Sequence, residues 1–371
     1  MATTSSDCSN KKYHTEKQSI SSTARKLICL DKYYFRKFAV SNAAILLILK
    51  TKITHIALLF VTLFLAGIEV KAQQAPIFTN YSNSYAYANA GYAGMSEGIN
   101  VLGLYRMQWA GFTDIDGNEI APTTFLLSGD MPFTKLHGGM EFSIMQDKLG
   151  FENNVNVGLG YSFHADLGGS TLGIGVAGTL LNRTVDFSQL HPNQEGDPLI
   201  QGLGEESAMM FDFNVGLFWQ IPESFFFGVS VVNVLESMSE ALNDNSESSA
   251  SFTTDRTFYA VAGYPFQFED IPYLTFVPSV SVMSDIASTQ FNARARVIYN
   301  NLFALGVNYR FQESVGLMAG LTIKDLTLVY SYDINTMGLS VVPGSHEIGL
   351  SYCFKLDLDR TPRDYRSVRY L

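Results

Sequence analysis

The chain has 371 residues, of which 16% are charged and 13% aromatic, and its mean hydropathy is +0.09. An average soluble domain is about 25% charged, and a bundle of membrane helices needs long uncharged apolar runs, so neither class fits. Charge also divides along the chain: residues 1–72 hold 11 Lys/Arg against 4 Asp/Glu, leaving 14 against 31 for the rest, and so acidic a body argues against a nucleic-acid partner.

The first element in chain order is the apolar run Ile56 to Ala66, preceded by Lys50 and Lys52 and followed by Val70-Lys71-Ala72. A positive flank, a short apolar run and small residues before a break predict a secretory signal cleaved near Ala72. The alternative is an uncleaved anchor, for which the run is short. Residues 1–72 are therefore read as an N-terminal extension and signal peptide. Cys8 and Cys29 would leave with it, and Cys353 alone supports neither an internal disulfide nor a Cys-rich metal site.

Residues 73–98 are expected to form a periplasmic segment leading into a long region of strands. In that region the period is two. Val155, Val157, Leu159, Tyr161 and Phe163 alternate with Asn154, Asn156, Gly158, Gly160, Ser162 and His164, and Phe303, Leu305, Val307, Tyr309 and Phe311 alternate with Ala304, Gly306, Asn308 and Arg310. The pattern predicts fourteen strands, at 99–110, 121–130, 137–146, 152–164, 170–182, 207–220, 224–234, 253–263, 273–285, 289–299, 302–311, 313–322, 325–333 and 345–356. A soluble β-sandwich alternates too, but here the less apolar face is Gly, Asn and Ser rather than Lys and Glu, as suits a crowded interior, and aromatics recur near strand ends as they do at membrane interfaces. The fold class predicted is all-β: a transmembrane β-barrel of the bacterial outer-membrane type with about 14 antiparallel strands over 99–356, in contact with outer-membrane lipid. An even count brings both ends of the barrel to the same side. The long acidic connections 183–206 and 235–252 fall on the other, outward side, and a basic tail, 357–371, ends the chain.

No phosphate loop or His-Glu-x-x-His motif occurs. His164 with Asp166, or His346 with Glu347, could enter a hydrolase triad only with a serine whose geometry sequence does not reveal. The expectation is no enzyme, no catalytic residue, no metal and no cofactor. Arg106, Arg294, Arg296, Arg310, Glu141, Asp212 and Glu347 fall on the inward-facing side of their strands. They fit either an ion-pair network filling the lumen, because charges away from water need partners, or the constriction of a selective pore.

An ordered series of short motifs runs through the mature chain: Asn89-Ala-Gly-Tyr92-Ala-Gly94, Arg106-Met-Gln108-Trp109, Asp130-Met-Pro132, Gly138-Gly139 with Asp147-Lys-Leu-Gly150, Tyr161-Ser-Phe-His164, Tyr330-Ser-Tyr332-Asp333, and Gly344-Ser-His346-Glu347-Ile348 closing on Tyr352-Cys-Phe354. The order and spacing resemble the PorP/SprF family of type IX secretion system outer-membrane proteins of Bacteroidetes, over about residues 75–356. The first motif departs from the family pattern, with Ala90 in place of its proline and Gly91 in place of its alanine. The resemblance implies a component or accessory of that secretion system, assisting export or cell-surface attachment of cargo of the adhesin or gliding type. Its implied partners are periplasmic secretion components and secreted cargo carrying a C-terminal sorting domain, and no enzymatic activity is implied. Asn89, Tyr92, Gly94, Arg106, Gln108, Trp109, Asp147, Gly150, Asp333, His346 and Glu347 are motif residues without an assigned role. The alternative from the barrel alone is a porin or small-molecule uptake channel.

Overall fold

A computed structural model describes residues 76–80, 84–96, 98–113, 117, 119–189, 204–240, 251–268, 270–336 and 344–355. The chain divides into two units, Met1–Glu69 and Val70–Leu371. The first lies outside the described residues, as do the expected signal segment, the basic tail 357–371 and most of the two long outer loops.

Seventeen strands are described: β1 Gly98–Met107, β2 Thr123–Phe133, β3 Gly138–Leu149, β4 Glu152–Asp166, β5 Thr171–Asp186, β6 Glu205–Ile221, β7 Phe225–Val232, β8 Met238–Glu240, β9 Ser251–Thr253, β10 Thr257–Gly263, β11 Phe266–Phe268, β12 Ile271–Ser284, β13 Thr289–Tyr299, β14 Phe303–Arg310, β15 Ser314–Ile323, β16 Leu326–Asn335 and β17 Ser345–Lys355. β1 pairs with both β2 and β17, and β10 pairs with both β7 and β12, so fourteen strands close into one antiparallel barrel. β11 carries the line of β10 onward along β12, and β8 with β9 makes a separate hairpin.

The fourteen wall strands are those the periodicity predicts, with one division. The predicted strand 253–263 is two elements, because Ser251–Thr253 turns away to pair with Met238–Glu240 and only Thr257–Gly263 joins the wall. The alternation alone ends β5 at 182, whereas pairing with β6 continues to Asp186↔Glu205. Sixteen residues at about 3.3 Å each reach about 53 Å, well beyond the 9–11 residues that cross a bilayer, so this hairpin projects past the membrane.

Burial is inverted relative to a soluble protein, which is what separates a membrane barrel from a sandwich. On β14, Leu305 is 66% exposed while Asn308 and Arg310 are each 1% exposed. The apolar row faces lipid and the polar row faces the interior. Outward aromatics gather toward both ends: Tyr105, Phe125, Phe211, Phe258, Phe291 and Tyr309 toward one, Phe163, Phe227, Tyr273, Tyr299, Phe303 and Phe354 toward the other.

Turn chemistry marks the end with short connections. Asn300 and Asn301 both have positive φ (52° and 50°), the backbone of a type I′ hairpin turn. The β4–β5 turn takes Gly168 and Gly169 at φ 66° and 100°, a region that glycine enters without steric cost.

Candidate functional site: a lumen closed by the amino-terminal segment

The stretch expected to lead into the barrel is packed inside it. Tyr85–Ala88 forms one helical turn and Ala90–Tyr92 a 3-10 turn, with buried Asn89 between them in extended backbone. Asn89 organises this corner. Its Oδ1 accepts the Gly91 N–H at 2.9 Å, and its Nδ2 donates to the Leu217 and Val229 carbonyls at 3.0 and 3.2 Å. The wall returns the arrangement: Ser230 Oγ donates to the Ala88 carbonyl (2.6 Å), Ser162 Oγ to the Gly91 carbonyl (3.0 Å), and His164 Nε2 lies 2.9 Å from the Ala93 carbonyl. Polar backbone placed in a closed interior must find such partners, and here all but the Asn89–Gly91 bond join the segment to the wall.

Small residues make the seat. A Cβ on Gly91 would stand 2.8 Å from the Phe218 nitrogen and 2.9 Å from the Gly173 and Gly216 carbonyls. Side chains at Gly173 or Gly175 would strike the backbone of Ala90 and Gly91, and Gly94, at φ +71°, lies against Gly139 and Met131. Gly173 and Gly175 lie within β5, and their missing side chains admit the plug backbone. Above this seat Tyr85, Tyr92, Phe218 and Phe226 pack ring to ring, with Tyr92 edge-on to Phe218 at 4.9 Å, alongside Val261, Val277, Ile298 and Ala304.

At the other end of the segment a charged clasp takes over. Glu347 accepts the N–H groups of Thr79 (2.9 Å) and Asn80 (2.7 Å) on its two oxygens. Asp333 accepts the Thr79 hydroxyl at 2.7 Å, and Asn80 Nδ2 donates to Ser331 Oγ at 3.2 Å. Arg106 bridges the two carboxylates, at 3.0 Å to Asp333 and 3.5 Å to Glu347. Arg310 pairs with Glu313 at 2.7 Å, donates to Asn292 Oδ1 at 3.2 Å and reaches the Ile77 carbonyl at 3.5 Å. Arg106, Arg310, Asp333 and Glu347 are all buried, and buried charges persist only when paired and hydrogen-bonded. Four residues picked out in the sequence thus meet in one cluster, but the Thr79–Asn80 turn that they grip carried no signal of its own.

The remaining predicted residues separate. Asp212 is buried as an inward charge, yet its partners are not cations: it accepts the N–H groups of Phe213 and Leu235 (2.8 Å each) and of Ser237 (3.2 Å), and the Thr254 hydroxyl (2.9 Å), so it anchors the base of the β8–β9 hairpin. Glu141 stands opposite Asp130 across the β2–β3 ladder, on the side of its strand away from outward Phe142, and Asp130 accepts from Ser96 Oγ at 2.7 Å. Arg294 and Arg296 are buried on the inner face of β13. Asp147 accepts the Thr124 hydroxyl at 2.6 Å. Gln108, Trp109 and Gly150 lie in turns: the Gln108 N–H donates to the Pro122 carbonyl, Trp109 has φ 55° with its N–H donating to Ser345 Oγ, and Gly150 has φ 57°. His346 faces outward, its Nδ1 2.8 Å from the Tyr330 hydroxyl.

Solved barrels of similar shape include the toluene transporter TbuX of Ralstonia pickettii (14% identity over 73% of this chain and 94% of that chain, TM-score 0.47) and a FadL homologue of Pseudomonas aeruginosa (12%, 73% and 94%, TM-score 0.42). The outer membrane protein Omp33 of Acinetobacter baumannii matches over 70% of this chain and 100% of that one at 8% identity, TM-score 0.39. Likeness at this level carries nothing about what the barrel does. No curated protein matches the chain. The family described as type IX secretion system membrane protein PorP/SprF matches residues 70–352, a span that begins ahead of the plug and ends within β17. Plug and barrel are therefore one family unit, and the chain belongs to the PorP/SprF family of type IX secretion system membrane proteins.

Proposed function

We propose that this protein is a closed, non-enzymatic outer-membrane dock of the type IX secretion system, which holds cargo at the cell surface or assists its export without conducting it through its own lumen. One observation carries the reading: the segment around Asn89 and Thr79 is fixed inside the barrel by hydrogen bonds to wall strands on several sides, through Ser162, Leu217, Val229, Ser331, Asp333 and Glu347. A general porin needs an open lumen, whereas this one holds a segment of its own chain bonded to the wall. The acidic connections 183–206 and 235–252 would meet cargo with its C-terminal sorting domain outside, and the basic tail 357–371 would meet periplasmic secretion components. The signal segment would be removed near Ala72.

The test has two arms. The full chain in a planar bilayer is expected to show no steady, large open channels. Cells lacking the protein are expected to lose a surface-attached cargo and regain it with the intact gene. Steady porin-like conductance from the full chain, or unchanged surface cargo in its absence, would defeat the proposal.

A further inference from the structure

We infer that the mature amino terminus emerges at the long-loop mouth of the barrel and is displayed outside the cell, on the side opposite the short turns. The plug has a direction. Its last residues lie at the short-turn end, where Ser96 bonds Asp130 and β1 starts at Gly98 opposite Lys355. Its first described residues lie at the other end. The Ile77 carbonyl meets Arg310, the final residue of β14, and Pro76 and Ile77 lie beside Val282, Met283 and Asn292, where β12 and β13 approach their connecting turn. Thr79 and Asn80 are clasped by Glu347, itself opposite Arg106 near the far end of β1. The segment therefore crosses the lumen from the loop mouth to the turn mouth.

The chain ahead of Pro76 has one way out. The interior below is filled by Phe78 with Leu102, Leu104, Leu126 and Met145, then by the aromatic cluster around Tyr85, and the wall is closed. If cleavage follows Ala72, three residues remain, and these reach at most about 11 Å. A wall strand of ten residues spans about 33 Å, so the stub does not return to the turn mouth. An even strand count places both barrel ends on one side, but the plug adds a fifteenth crossing and sends the amino terminus to the other. The free end of the plug is then the end that a protein at the cell surface reaches, immediately above the clasp.

Single cysteines test this in intact cells, in a chain carrying Cys8→Ser, Cys29→Ser and Cys353→Ser. Ala75→Cys reports the amino terminus, Met238→Cys the exposed outer hairpin and Leu167→Cys the exposed β4–β5 turn. With a membrane-impermeant maleimide, Cys at 75 and 238 should label in intact cells several-fold more than Cys at 167, which should label only after the outer membrane is permeabilised. Labelling at 75 only after permeabilisation, or in neither state, overturns the inference. Heat-modifiable gel migration establishes that each variant is folded. An epitope tag inserted ahead of residue 73 gives an independent reading: antibody should bind it on intact cells, and binding only to permeabilised cells overturns the inference equally. Neither readout involves cargo or conductance, so a failure here is separable from failure of the proposed function.

Discussion

Glu347 shows how much a single side chain holds. It receives two consecutive backbone N–H groups from the plug and shares Arg106 with Asp333. Glu347→Ala would orphan two buried donors and leave Arg106 with one carboxylate. Removing one member of a buried ion pair costs about 3–5 kcal/mol, so thermal unfolding of the purified barrel should shift clearly downward, and a plug-borne cysteine near Thr79 should become labelled from outside. Asp212 is equally buried but serves a different element. Asp212→Ala should free the loop base at Leu235 and Ser237 and speed proteolysis between 236 and 253 while leaving the clasp untouched. Sequence separated these two carboxylates from lipid by the period of two but did not reveal their partners. Glu347 acts on residues 267 and 268 positions away, and Asp212 on backbone groups of a loop, which carry no side-chain signature.

At the scale of elements, legibility followed regularity. Each wall strand declares itself by alternation, since a strand between lipid and a polar interior has no freedom to do otherwise. The small hairpin β8–β9 does not, because three residues on each side give too short a pattern, and its place depends on Asp212 and Thr254. The plug is less legible still. Tyr85-Ala-Tyr-Ala88 makes a single helical turn with no side-chain cap bond, and isolated helices of fewer than about 12 residues are unstable in water. Its conformation is supplied by the seat of Gly173, Gly175, Gly216 and Phe218. A synthetic peptide of residues 76–96 should accordingly show no helical circular dichroism in buffer; appreciable helix in isolation would mean that the segment carries its own fold and that the seat only receives it.

For the whole molecule, the plug decides what the barrel is. The inner wall exposes Asp130, Glu141, Asp147, Glu206, Asp212, Asp333 and Glu347 against Arg106, Arg294, Arg296 and Arg310, while Glu152 and Arg183 cancel as a pair at 3.0 Å. With the plug seated, Asp130, Asp333 and Glu347 accept its hydroxyl and backbone donors, Arg106 pairs with the last two, and the plug stands across the path on which the imbalance would act. Remove the plug and the same wall becomes a water-filled lumen whose carboxylates outnumber its cations. Rings of acidic groups favour cations in a pore. A chain lacking 76–96, targeted by its own signal segment, should therefore insert as a less heat-stable barrel, because Phe218 and Phe226 lose their ring partners Tyr85 and Tyr92. It should also conduct with a reversal potential displaced toward the cation equilibrium in a salt gradient. Anion preference would mean that Arg294, Arg296 and Arg310, spread over β13 and β14, dominate the narrowest level. A truncated barrel that inserts and stays silent would mean that the wall itself collapses inward, so that the plug fills a gap instead of closing a pore.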